Sequence, residues 1–298
     1  MSEKKDLTPE LLKKSIEIIR EIQRDIKISL EKNRVSAIEE IFRRWKVRSN
    51  ITHPFDLTAE ARASSMLWRS RVGKNIVVYG EESLRDHNLD LSKEKNVVAL
   101  LDMVDGSDLL VLDLSNWCSA IVFFQPDPDK PKILLSLVGD SFGRIYYAAR
   151  NEKGAYVIPP NKGIEKRISI SPSTTKKLKD AKVCFYGQKS KNFLPILKHK
   201  KFITALESMG RLYNLGGNPM MVKVAEGTID AVFELVGQSP HDVVAGAYIA
   251  KKAGAILLDL TGKPVELEKS LLQPAKNKLV YVLASEKQLY NSIIGNLQ

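Results

Sequence analysis

Five short apolar segments rich in β-branched residues succeed one another at residues 75–79, 97–103, 119–124, 133–138 and 144–150, with Gly or Pro punctuation between them. Strands that follow one another without helical crossovers pair with their neighbours, so this stretch is predicted to form a mostly antiparallel sheet. Two helices are predicted ahead of it. From residue 8 to about 32 the apolar positions Leu11, Leu12, Ile16, Ile19, Ile22, Ile26 and Leu30 recur at threes and fours, the stripe of an amphipathic helix. Thr8 and Pro9 suit its N-cap and first turn. A second helix is expected over residues 56–71.

The rhythm changes after Ser171-Pro172-Ser173-Thr174-Thr175. Expected strands at 182–186, 231–235, 255–259 and 279–284 alternate with expected helices at 202–209, 220–226 and 242–253, the signature of an α/β unit. At about 150 residues per domain, the 298 residues predict two subdomains: 1–172, α+β in character, and 173–298, α/β.

Apolar residues make up 44% of the chain and charged residues 27%, the proportions of a globular protein. No apolar run approaches the roughly 20 residues that span a bilayer. The charged start, Met1 to Asp6, has no apolar signal region behind it, so a cytoplasmic protein without membrane contact is expected. Cys118 and Cys184 sit in apolar strand-like runs with no second Cys or His at metal-ligand spacing, and read as buried free thiols. The net charge is +11, but the lysines are scattered. The densest cluster, Lys198-His199-Lys200-Lys201, fits a solvated face better than a nucleic-acid footprint, so no nucleic-acid partner is expected.

Four acidic sites stand at the end of an apolar strand or the start of a helix: Gly80-Glu81-Glu82-Ser83, Asp102-Met103-Val104-Asp105-Gly106-Ser107, Ser239-Pro240-His241-Asp242, and Asp56. Magnesium takes hard oxygen ligands in octahedral geometry, and converging carboxylates on rigid strand ends supply them. Asp102 and Asp105 can face one point if the chain bends after Asp102, with the Val104 carbonyl as a further ligand. Gly106 lets backbone approach a ligand, and the Gly106 and Ser107 N–H groups at a helix start favour phosphate. Each acid also has an ordinary reading. Glu81 and Glu82 suit a solvated turn, Asp105-Gly106 is a turn signal, Asp56 can cap its helix, and Asp242 completes a capping box with Ser239. Asp102 is harder to explain so, because an acid against a buried run needs a partner.

The order and spacing of these strings resemble the inositol monophosphatase / fructose-1,6-bisphosphatase superfamily of lithium-sensitive, magnesium-dependent phosphatases. The resemblance rests on Gly80-Glu81-Glu82, Asp102-x-x-Asp105-Gly106-Ser107 and Asp242-x-x-Ala245-Gly246-Ala247, with further similarity at Glu152 to Tyr156, Ala225 to Ala231, Ala253-Gly254-Ala255 and Val282 to Ser285. It implies a layered α-β-α-β-α sandwich with the site between two subdomains, and a homodimer. It implies two or three Mg2+ ions held by Glu81, Asp102, Asp105, Asp242 and the Val104 carbonyl. Ser107, oriented by Asp56, would help Glu81 position the attacking water. The Gly106 and Ser107 backbone would hold the phosphate, with Gly216, Gly217 and Glu234 near the rest of the substrate. Four departures lie toward the substrate: Asp108-Leu109-Leu110 after Ser107, His241 where Trp is usual, a longer interval from Glu234 to Asp242, and Asn218-Pro219 in place of small residues.

The reaction expected is hydrolysis of a small phosphomonoester by direct attack of water, the ions lowering its pKa and stabilising the leaving oxygen. An inositol phosphate or another polyol or sugar phosphate is the expected substrate. Fructose bisphosphate, a 3′,5′-bisphosphonucleotide, NADP and histidinol phosphate are the alternatives. A catalytically silent protein that binds a phosphometabolite is the rival from another class.

Overall fold

A computed structural model describes residues 8–44, 54–85, 90–187, 190–207 and 209–298, with side chains omitted at 31–44, 54, 82 and 85. The Met1–Asp6 segment and the Glu82 side chain discussed above lie outside them. The helices are α1 (Thr8–Arg44), α2 (Pro54–Trp68), α3 (Glu81–Arg85), α4 (Ser107–Val111), α5 (Ser190–Phe193), α6 (Lys200–Leu206), α7 (Gly217–Ala225), α8 (Val244–Ala253), α9 (Leu267–Ser270) and α10 (Lys287–Leu297). The strands are β1 (Ile76–Gly80), β2 (Val97–Asp105), β3 (Cys118–Gln125), β4 (Lys132–Asp140), β5 (Ile145–Ala149), β6 (Ala155–Ile158), β7 (Ile168–Ile170), β8 (Lys182–Phe185), β9 (Arg211–Tyr213), β10 (Ala231–Gln238), β11 (Ile256–Leu258) and β12 (Leu279–Ala284).

Strands β1 to β7 form one sheet in chain order, antiparallel except for the parallel β1–β2 pair. The second sheet runs β11-β12-β10-β8-β9 and is mixed. Three apolar cores bind these sheets into five layers. Leu11, Ile19 and Ile22 of α1, with Ala59, Ala63 and Leu67 of α2, cover one face of the first sheet. Its other face, with Val98, Leu100 and Phe124, packs on α7 and α8, which also meet the second sheet. Phe202 of α6 and Leu289, Ile293 and Leu297 of α10 close the far side. The α-β-α-β-α sandwich is therefore the observed architecture.

Helix α1 continues to Arg44, a dozen residues past the expected end. Apolar residues continue beyond Leu30 at Val35, Ile38, Ile41 and Phe42, and no Gly or Pro occurs between Glu10 and His53 to end the helix. The expected helix 242–253 is instead divided. A 3-10 turn covers Pro240–Asp242, Val243 leaves helical geometry at φ −125°, and α8 begins at Val244. The sequence pattern does not predict β6, the short edge strands β7 and β9 or helix α10 as elements, although it predicts a hairpin at residues 152–156. No helix among the described residues is long and apolar enough to cross a membrane.

A buried polar knot fixes the C-terminal end of α7 on the first sheet. Lys223 Nζ donates to Asp140 Oδ2 at 3.1 Å and to the Tyr146 hydroxyl at 2.9 Å. Tyr146 donates to Glu226 at 2.7 Å and Arg144 to Asp140 at 2.8 Å. Burial, together with the charges of Asp140 and Glu226, raises the Tyr146 phenol pKa and keeps it protonated. With that end held, the N-terminal end of α7 is delivered to β2.

Candidate active site

In a regular strand residues three apart point to opposite faces. Asp102 and Asp105 escape that rule because β2 carries an extra residue. Asp102 pairs with Ala120 and Asp105 with Cys118, and the register shifts between them. The bulge brings both carboxylates together with Asp242, all three with ligand atoms within 4.8 Å of one another. Glu81 stands at the end of the neighbouring β1 as the first residue of α3, and Glu81, His241 and Asp242 form a second such group.

These acids crowd one another. Asp102 is 5% exposed; its Oδ1 accepts the Val104 N–H at 3.3 Å, and its buried Oδ2 has no hydrogen-bond partner among the described residues. Burial first, then the charges of Glu81, Asp105, Asp242 and Asp56, hold its pKa well above the carboxylate range. Asp105 is raised by burial and by Asp242, partly offset by hydrogen bonds from Asn218. Asp242 is raised by burial, with His241 and Lys278 opposing. A buried carboxylate oxygen without a donor, beside like charges, is what a cation would relieve. Hard oxygen donors are also the chemistry magnesium takes, so the residues fit it.

The Asp242 capping box is only half built. The Ser239 hydroxyl makes no cap bond; the Ser239 backbone lowers the Asp242 pKa only as a minor influence. The turn hydrogen bond from Asp242 N–H to the Ser239 carbonyl spans 3.1 Å. The Asp242 side chain remains 29% exposed.

Gly106 caps α4 at φ +91°, and a Cβ there would lie 2.6 Å from the Asn116 carbonyl, so only glycine fits. Ser107 follows as the first residue of α4. Val104 is buried within the bulge. Asp56 lies in the first turn of α2 and bears on Asp102 through its charge. Gly216 precedes α7, and Gly217 opens it at φ +74°; a Cβ on Gly217 would stand 3.1 Å from both Asp105 oxygens. Glu234 is buried on β10. Its Oε1 accepts N–H groups of Val236 (2.6 Å) and Gly237 (2.9 Å), while Oε2 has no partner among the described residues. Burial raises its pKa, with a smaller contribution from Asp242.

Other neighbours of the site were not singled out from the sequence for this place. Cys118 Sγ lies 3.9 Å from Asp105 Oδ2, and burial pushes the thiol pKa up. Antiparallel pairing with the Asp105 segment was the signal that could have found it. Tyr186 feels the charges of Asp242, Asp105, Asp108 and Glu234, a proximity that no spacing in the chain reveals.

Asn218 was noted as a departure, and its position explains it. Its backbone N–H donates to Asp105 Oδ2 at 3.0 Å, its Nδ2 to the His241 carbonyl at 2.8 Å, and its Oδ1 accepts the Gly246 N–H at 2.8 Å. One buried side chain thus ties α7 to the turn carrying Asp242 and to α8. Asn218→Ala would leave the Gly246 N–H and the His241 carbonyl unsatisfied. It should cost about 2–4 kcal/mol of stability, read by denaturant unfolding of the metal-free protein. An unchanged midpoint would show that the tie contributes nothing.

The profile of the inositol monophosphatase family matches residues 10–297. The chain belongs to this family. It is therefore a phosphatase, a hydrolase of phosphoric monoesters, in a family that acts on small phosphate substrates and is generally metal-dependent. Among its relatives, a bifunctional NADP phosphatase/NAD kinase of Methanococcus maripaludis is 28% identical over 215 residues, 66% of this chain. The match spans only 35% of that longer protein. A fructose-1,6-bisphosphatase of Pyrococcus furiosus is 22% identical over 210 residues, 70% of this chain and 72% of the other. Inositol monophosphatase II from Staphylococcus aureus shares the fold at TM-score 0.69 and 19% identity, covering 96% of this chain and 92% of the other. The Thermotoga maritima IMPase does so at TM-score 0.69 and 15% identity, with 97% and 96% covered.

Proposed function

We propose that this inositol monophosphatase-family phosphatase hydrolyses a phosphomonoester of a small polyol or sugar, inositol monophosphate or a related compound, with magnesium as cofactor. The observation that carries the reading is the convergence of Asp102, Asp105 and Asp242 around a buried carboxylate oxygen that lacks a hydrogen-bond donor. Glu81, Asp102, Asp105, Asp242 and the Val104 carbonyl would hold two or three Mg2+ ions. When bound, magnesium supplies a lowered pKa for the attacking water and counter-charge for the phosphoryl and leaving oxygens.

The chain's own groups do the positioning. Glu81 takes the proton of the water, with Ser107, set by Asp56, holding that water in line. The Gly106 and Ser107 N–H groups cradle phosphate oxygens at the start of α4. Glu234, whose Oε2 has no donor among the described residues, accepts a substrate hydroxyl beside Gly216 and Gly217. A doubly phosphorylated substrate is the second reading, favoured by the matches to a fructose-1,6-bisphosphatase and an NADP phosphatase. Two buried free cysteines suit a reducing cytoplasm. Exposed Leu112, Leu114 and Phe142 would suit a homodimer contact.

Phosphate release from a panel of polyol, sugar and nucleotide monoesters and bisphosphates, with and without Mg2+, tests this. Hydrolysis that needs Mg2+, is fastest on a polyol or sugar monophosphate and is inhibited by millimolar lithium is expected. No release from any member at saturating Mg2+ would overturn the reading, and a bisphosphate preference would select the second.

A further inference from the structure

The two clusters that share Asp242 differ in chemistry. Asp102, Asp105 and Asp242 offer oxygen alone, whereas the other group places the imidazole of His241 between Glu81 and Asp242. His241 Nε2 stands 3.4 Å from Asp242 Oδ1 and 3.7 Å from Glu81 Oε1. Two ligands each about 2.1 Å from one ion stand roughly 3.0–3.8 Å apart, so both distances from the imidazole have the spacing of ligands around a common cation, and all three ligand atoms lie within 4.8 Å of one another.

The ring faces the two carboxylates without being fixed by a hydrogen bond. Its side chain is 11% exposed, its Nδ1 is buried without a partner, and neither nitrogen makes a hydrogen bond among the described residues. Burying an imidazole so costs stability unless another interaction offsets it. The backbone at this point is fixed, because the Asn218 amide donates to the His241 carbonyl at 2.8 Å. The adjoining cluster supplies an independent sign of a cation, the buried and unpartnered Asp102 Oδ2.

We infer that Glu81, His241 and Asp242 form a mixed nitrogen–oxygen position that takes a borderline divalent ion such as Mn2+, Co2+ or Zn2+ in preference to Mg2+. This inference rests on the metal-dependent reading of the site proposed above. Imidazole suits those transition ions, whereas magnesium holds to oxygen ligands and water. The neighbouring all-oxygen position keeps the preference of a hard cation. The molecule would then work with two unlike ions, and His241, standing where the family usually has Trp, is the residue that separates them.

The metal-free 298-residue chain titrated calorimetrically with Co2+ and, separately, with Mg2+ tests this, using wild type, His241→Gln and Asp102→Asn. Removing the imidazole should weaken Co2+ binding about tenfold or more while Mg2+ affinity changes by less than about threefold. Asp102→Asn should weaken Mg2+ strongly. Unchanged Co2+ affinity in His241→Gln overturns the inference, as does an equal loss of both ions. A measurement on wild type decides the matter without any variant: pulsed EPR of the Mn2+-loaded protein should show 14N coupling from a coordinated imidazole, and its absence overturns the inference. If wild type binds Mg2+ and Asp102→Asn abolishes that binding while no nitrogen coupling is seen, only the His241 assignment falls. If wild type binds neither ion, the metal-dependent function falls with it.

Discussion

Replacing Asp105 with Asn should lower phosphate release by on the order of 100-fold or more, about 3 kcal/mol of barrier, while the fold survives. Asn is close to isosteric and keeps an oxygen to accept the Asn218 N–H. What disappears is the charge. In the metal-free protein that charge is a burden, since burial and Asp242 hold the Asp105 pKa well above the carboxylate range. The folded state therefore binds a proton more readily than the unfolded chain between the ordinary carboxylate pKa and the raised one. Stability of metal-free wild type should fall as pH rises through that window, from about 4 upward. Asp105→Asn should flatten the fall and raise the melting temperature near neutrality. Thermal melts in chelator across pH, paired with a phosphate-release assay at saturating magnesium, check both parts. A variant that unfolds, or one that keeps the wild-type rate, would contradict the assignment.

Asp242→Ser should separate the two readings of that residue. Serine is itself a good cap, so a residue that only capped its turn would be replaced at a cost of a few tenths of a kcal/mol, with activity retained. Capping is half absent here, because the Ser239 hydroxyl makes no cap bond and the regular helix begins only at Val244. Asp242 belongs instead to both acidic clusters. The expected result is a loss of rate of about 100-fold or more, with an unchanged or higher melting temperature without metal. Near-normal turnover would remove Asp242 from the metal site.

The parts of the fold written in apolar periodicity were legible. Strand β12 was expected at its observed bounds, and β2, β3 and β10 within a few residues, because each contains a run of at least four buried side chains. Helix α1 outruns the expected end at residue 32, since apolar residues recur as far as Phe42 and no Gly or Pro interrupts the chain before Pro54. The three-residue strands β7 and β9 depend on a partner already in place and have no pattern of their own. At the site, Asp102 and Asp105 could face one point only if the chain bent after Asp102, and the bulge between them supplies that bend. The order of the acids placed Glu81 and Asp242 beside them before any geometry was known. Asn218 and His241 were visible only as departures. What each touches depends on α7 and the 240–242 turn docking onto β2, and Asn218 and Asp105 lie 113 residues apart in the chain.

That separation sets a timetable for synthesis. The first sheet can be complete once Ile170 has left the ribosome, yet Val98, Leu100, Val122 and Phe124 line a face whose core is finished by α7 and α8. Those two helices are themselves buried almost throughout. Until residue 253 emerges, on the order of ten seconds later at ordinary elongation rates, the nascent protein presents a broad greasy surface to solvent. The hazard for this enzyme therefore falls during translation more than in the finished molecule. Slower decoding between β7 and α8 would lengthen the exposure, and it should raise aggregation without altering the stability of the chains that escape it.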